Sequence, residues 1–189
     1  MLRCGINRIS MRCIVSILAV LVILAPKPTV AARSIQSDPR YAAIVVDINT
    51  GKVLYSRSAD RLRYPASLTK IMTLYMLFEA MRSGKVNKNT RMRVSAHAAG
   101  QAPSKLGLKP GQTISVDAAI KALVTKSAND VAAVVAEHLG GTESSFARQM
   151  TARARALGMS NTTFRNASGL PNSSQKTTAR DMALLGEAM

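Results

Sequence analysis

Hydrophobic positions first fall into two short runs either side of a turn. Residues 41–47 (Tyr-Ala-Ala-Ile-Val-Val-Asp) read as a strand, Asn49-Thr50-Gly51 as a turn, and residues 52–56 (Lys-Val-Leu-Tyr-Ser) as the returning strand. The pattern then changes to a helical period. Beyond Pro65, Ile71, Leu74, Phe78 and Met81 recur as one stripe, which predicts a helix to about residue 82, stopped by Ser83-Gly84. Residues 85–114 read as short strand and turn material, including Lys109-Pro110-Gly111.

Four more helices follow from cap and stop signals. Ser115 caps a helix to about residue 124, and residues 130–138 form a second that ends at Gly140-Gly141. Thr142 caps a third to about residue 157, closed by Gly158. Thr178 and Asp181 stand three apart, as a capping box requires, and open a last helix whose apolar face is Met182, Leu184 and Leu185. No turn, cap glycine or strand follows before Met189, and two strands alone make a poor sheet. The pattern therefore predicts an α+β chain that is the front portion of a larger domain.

The beginning of the chain reads differently. Arg3, Arg8 and Arg12 precede an apolar run over residues 14–25, broken by Pro26 and Pro28, with small residues at Val30-Ala31-Ala32. This predicts a secretory signal over residues 1–32, a catalytic body over residues 33–189, and export to the periplasm or extracytoplasmic face. Both cysteines, Cys4 and Cys13, lie in that leader, so the body has no thiol nucleophile, disulfide or thiolate metal site. His97 and His138 share no spacing and no nearby carboxylate pattern, so no metal or cofactor is expected.

The net charge is +16, and removing residues 1–32 takes away four bases and no acid. Such a body either favours anionic surroundings, wall polymer or a membrane surface, or simply carries a solvated basic face with no specific partner. Export, 4% aromatic residues and the lack of a binding module argue against nucleic acid.

The candidate chemistry is Ser67-Leu68-Thr69-Lys70 at the head of the first helix, followed 60 residues on by Ser127-Ala128-Asn129. A serine becomes a nucleophile when a neighbour takes its proton, and positions three apart share a helix face. Burial in the apolar stripe would lower the Lys70 pKa and make it a base near neutral pH. Read alone, Ser67 is more readily an ordinary helix cap and Lys70 a snorkelling lysine, and Ser127-Ala128-Asn129 reads as a helix start. A second Ser-x-x-Lys, at Ser173 and Lys176, falls in a polar turn with no helix behind it and reads as accidental.

Taken together and in order, Tyr64-Pro65-Ala66-Ser67-Leu68-Thr69-Lys70, Ser127-Ala128-Asn129-Asp130 and Asn166-Ala167-Ser168-Gly169-Leu170-Pro171 resemble the serine D-alanyl-D-alanine carboxypeptidases. These are the low-molecular-mass penicillin-binding proteins. The likeness runs from about residue 41 to residue 189 and implies a β-lactamase/transpeptidase-like fold, an antiparallel sheet packed beside a helical cluster. It implies that Ser67 attacks the penultimate D-alanine carbonyl of a peptidoglycan stem peptide and that Lys70 accepts its proton. Ser127 would pass a proton to the leaving D-alanine, and Asn129 would hold the substrate amide or orient Lys70. β-Lactams would be inhibitors, and no catalytic role is assigned to residues 166–171.

The family's third motif, Lys-Thr-Gly or Lys-Ser-Gly, is absent; Lys176-Thr177-Thr178 comes nearest. A domain cut before that strand is the expectation. Three functions stay open: carboxypeptidase or endopeptidase action on peptidoglycan, β-lactamase action, and a non-catalytic remnant. Ala128 stands where class A β-lactamases carry aspartate, and only Glu137 and Glu143 are acidic between Asp130 and Asp181. A penicillin is therefore expected to acylate the protein and stay bound.

Overall fold

The computed structural model describes residues 38–189. The leader expected over residues 1–32, with its two cysteines, lies outside the described residues.

The expected hairpin forms. Strands β1 (Ala43–Val46) and β2 (Val53–Arg57) pair antiparallel, with Ile44 opposite Ser56 and Val45 opposite Tyr55. The Asp47 side chain accepts from the Asn49 and Thr50 N–H groups at 2.9 Å each, which closes the turn. After a 3-10 turn at Ala66–Leu68 comes helix α1 (Thr69–Arg82). Strand β3 (Arg91–Arg93), helix α2 (Ala96–Ala99) and strand β4 (Thr113–Ser115) follow. In the β3–β4 pair, Met92 and Ile114 are opposite and buried.

The remaining helices are α3 (Val116–Lys126), α4 (Asn129–Gly140), α5 (Glu143–Ala156) and α6 (Ala179–Ala188). Their starts follow the sequence signals: Ser115 accepts from Ala118 N–H, Thr142 from Ser145 N–H and Thr178 from Asp181 N–H.

Helix α4 is the centre of the fold. Residues 131–136, Val-Ala-Ala-Val-Val-Ala, are all fully buried, as a stretch apolar on every side requires. Helices α1, α2, α3 and α5 and strand β3 pack around it, while α6 lies against β1. The α4–α5 corner is tight: a Cβ at Gly140 would stand 2.7 Å from that of Phe146.

Four sequence expectations change. The buried face of α1 is not Ile71–Leu74–Phe78–Met81, because Phe78 is 38% exposed and Ile71 and Met81 only half-buried. The inward residues include Thr69, Lys70, Thr73, Leu77 and Ala80. Three polar side chains sit in that face, so an apolar pattern alone rotates the stripe toward solvent. Helix α2 falls where the sequence predicts turn material, because its four residues are too few for a period to show. Asn129 is the first residue of α4 and not part of the break before it. The capping box at α6 is half made: Asp181 Oδ2 accepts from Asn161 N–H and Thr162 Oγ1 instead of turning back on Thr178.

Candidate active site

Ser67 is presented by a strained turn. Ala66 before it has φ +46°, in the left-handed region that side chains other than glycine seldom adopt. Gly169 holds it there: its φ is +88°, and a Cβ on it would lie 1.8 Å from the Ala66 carbonyl oxygen. Only glycine permits that approach. Upstream, Arg63 and Thr177 exchange two backbone hydrogen bonds at 2.7 and 2.9 Å. The turn is clamped on both sides, and Ser67 itself is exposed.

Lys70 is 3% exposed on the inner face of α1. Its Nζ donates to the Asn129 side-chain carbonyl at 2.8 Å and to the Ser168 backbone carbonyl at 2.6 Å. Among the described residues no hydrogen bond joins Lys70 to the Ser67 or Ser127 hydroxyl. Burial pushes the Lys70 ammonium down to about 8 from its ordinary 10.5. Its two partners are both neutral oxygens, which solvate the amine without the charge of a carboxylate.

Asn129 is fixed from three directions. Beyond the Lys70 contact, its Nδ2 donates to the Ala102 carbonyl at 2.9 Å and its backbone N–H to the Ser104 carbonyl at 2.8 Å. Ser127, half-buried, is the left-handed C-cap of α3 at φ +53°. Left-handed non-glycine backbone therefore occurs next to one candidate serine, at Ala66, and at the other, Ser127 itself. Next to Asn129, the fully buried Asp130 accepts from the N–H groups of Leu106, Gly107, Leu108 and Val131 at 2.9–3.2 Å. One carboxylate thus shapes the loop beside the site.

The sequence assigns residues 166–171 no catalytic role, yet the structure sets this loop against Lys70. The Asn166 side chain accepts from Gly169 N–H at 2.7 Å and donates to the Leu170 carbonyl at 2.9 Å. Ala167 O accepts from Thr73 Oγ1 at 2.7 Å, one helical turn below the Ser168–Lys70 bond. Gln175, 2% exposed, accepts from the N–H groups of Arg165 and Asn166 and ties the loop from behind. A backbone acceptor has no residue-type signature; the glycine and asparagine spacing was the readable sign.

The second Ser-x-x-Lys is separate, as expected: Ser173 is exposed, and Lys176 Nζ stands 3.3 Å from the Tyr64 ring centroid. His97 does have a carboxylate neighbour, contrary to the sequence reading, with its Nε2 2.6 Å from Glu143 Oε2. The partner lies 46 residues away, which no local pattern reveals.

Comparison with known proteins matches residues 27–189 to the family model Peptidase S11, D-alanyl-D-alanine carboxypeptidase. The chain belongs to that family. D-alanyl-D-alanine carboxypeptidase DacF of Bacillus subtilis is 35% identical over 148 residues, covering 78% of this chain and 38% of its own length. The crystal structure of the D-alanyl-D-alanine carboxypeptidase DacD from Francisella tularensis superposes with a TM-score of 0.76 at 39% identity, covering 78% of this chain and 36% of that one. Penicillin-binding protein D2 from Listeria monocytogenes in its ampicillin-bound form gives 0.64 at 33% identity, covering 77% and 59%. The fold is thus the penicillin-binding type expected from the sequence. The chain spans less than half the length of the DacF and DacD relatives it matches.

Proposed function

We propose that Ser67 is the acylating nucleophile of a serine D-Ala-D-Ala carboxypeptidase, with Lys70 as its general base. The observation that carries this is the pair of neutral carbonyl acceptors on Lys70 Nζ. A deprotonated amine has two N–H groups and one lone pair. Asn129 and Ser168 together take both N–H groups, so the lone pair is left for a third direction. Ser67 stands three residues earlier, in the 3-10 turn that leads into α1, and its hydroxyl is the proton source this reading assigns to the amine.

In this reading the Ser67 oxygen bonds to the carbonyl carbon of the penultimate D-alanine as its proton passes to Lys70. The Ser67 N–H, at the start of a helix, faces the developing oxyanion. The C–N bond then breaks, and the terminal D-alanine departs with a proton delivered through Ser127. Water cleaves the resulting ester and restores Ser67. Asn129 orients the amine, and the basic body suits an anionic wall polymer.

The same serine would be acylated by a penicillin. Both glutamates near the second motif are engaged with other groups: Glu137 accepts from Ser95 Oγ at 2.9 Å, and Glu143 meets His97 and accepts from the Ala167 N–H. This favours a carboxypeptidase, inhibited by a persistent adduct, over a β-lactamase. A fluorescent penicillin tests the reading: the wild type acquires label and Ser67→Ala does not. A folded wild type without label would refute it.

A further inference from the structure

Glu143 opens helix α5, yet its carboxylate does not serve that helix, whose cap is Thr142. Its side chain, 11% exposed, instead joins two distant segments. Oε1 accepts from the Ala167 N–H at 3.0 Å, across 24 residues. Oε2 meets His97 Nε2 at 2.6 Å. His97 rides on α2, where the N-cap Ser95 also bonds Glu137 of α4 at 2.9 Å, so it is anchored to the central helix.

The Ala167 residue is consequently held at both ends. Glu143 takes its N–H, and Thr73 Oγ1 donates to its carbonyl at 2.7 Å. The next carbonyl along the chain, that of Ser168, is the one that accepts from Lys70. Lys70 and Thr73 lie three apart on α1, so two successive carbonyls are aimed at successive positions of one helix face. Fixing the residue before Ser168 fixes where its carbonyl points.

We infer that Glu143, seated by His97, is a positioning residue for the Lys70 amine, acting through the 166–169 loop. This rests on the reading of Lys70 as the base. Glu143 touches neither Ser67 nor Lys70; its effect runs through Ala167 and the Ser168 carbonyl. A misplaced base slows proton removal but leaves a ligand's binding surface intact.

Saturation kinetics of acylation by a fluorescent penicillin, run on the full chain, separate this from a merely structural role. Glu143→Ala should lower the limiting acylation rate about tenfold or more while the half-saturating concentration stays within about twofold. Glu143→Gln keeps an oxygen for Ala167 and an N–H for the imidazole, and should recover to within about threefold of wild type. If Glu143→Ala fails to fold, His97→Ala, which unseats the carboxylate alone, should give a smaller loss of the same kind. Wild-type rates in Glu143→Ala, equal losses in the Gln and Ala variants, or a loss confined to half-saturation would overturn the inference. Amide hydrogen exchange at Ala167 supplies a readout independent of chemistry. Faster exchange at Ala167 in Glu143→Ala supports the brace, and unchanged exchange refutes it. Were the wild type itself unlabelled, the Ser67 reading would fall and the exchange result would still decide the brace.

Discussion

Lys70 Nζ and Asn129 Oδ1 lie 2.8 Å apart, although 59 positions separate them in the chain. The contact ties the first turn of α1 to the first residue of α4, the most deeply buried helix of the fold. Substituting Asn129 by alanine removes one of two acceptors from a buried amine and leaves the Ala102 carbonyl without its donor. Such losses cost on the order of 1–3 kcal/mol per stranded group. Asn129→Ala should therefore unfold at lower denaturant and acylate more slowly than wild type. Chemical denaturation and penicillin labelling, run side by side, check both effects.

Lys70 gives the site a pH signature. Its pKa is about 8 in the fold against an ordinary 10.5, because burial disfavours the ammonium. If Lys70 is the proposed base, acylation needs its lone pair, and the rate should rise with pH through a midpoint near 8. Stability moves the same way. Between about 8 and 10.5 the unfolded chain binds a proton at Lys70 that the folded chain does not. Folding is therefore penalised below about 8, and the penalty fades as pH rises to 10.5, by on the order of 3 kcal/mol. Lys70→Met should abolish acylation and flatten this slope in denaturation midpoints between those pH values.

Gly169 and Ala66 make a second sharp case. Any side chain at residue 169 begins 1.8 Å from the Ala66 carbonyl oxygen and must also adopt φ +88°. Gly169→Ala should destabilise by about 1–3 kcal/mol from backbone strain alone, with more from the clash. Because the displaced turn carries Ser67, labelling should fall together with stability. A Gly169→Ala chain as stable and reactive as wild type would show that the clamp does not matter.

How far the residues announce this arrangement depends on the kind of group involved. Lys70 and Asn129, which the fold joins at 2.8 Å, stand out in the sequence as side chains within recognisable motifs. The caps at Ser115, Thr142 and Thr178 were legible because a hydroxyl at a helix start satisfies a local N–H. The Ser168 carbonyl was not, since every residue has one, and only the fold aims it. The inward face of α1 was misread because Thr69, Lys70 and Thr73 occupy it, and hydrophobicity discounts all three. Buried polar groups at a site mask the periodicity that marks a core.

Asp130 separates loop order from chemistry. Its buried carboxylate serves four backbone N–H groups, three of them in residues 106–108. Asp130→Ala strands those donors and should destabilise by about 3 kcal/mol, with amide exchange accelerated first at residues 106–108. Uniform exchange across the chain would contradict a local role.

The central claim is that one hydroxyl, at the head of α1, takes the acyl group. Mass mapping of the chain after exposure to a penicillin addresses it directly. A single adduct on the peptide containing Ser67, persisting after free drug is removed and lost in Ser67→Ala, is the predicted result. An adduct on Ser127 or Ser173, or an undiminished adduct in Ser67→Ala, would contradict it.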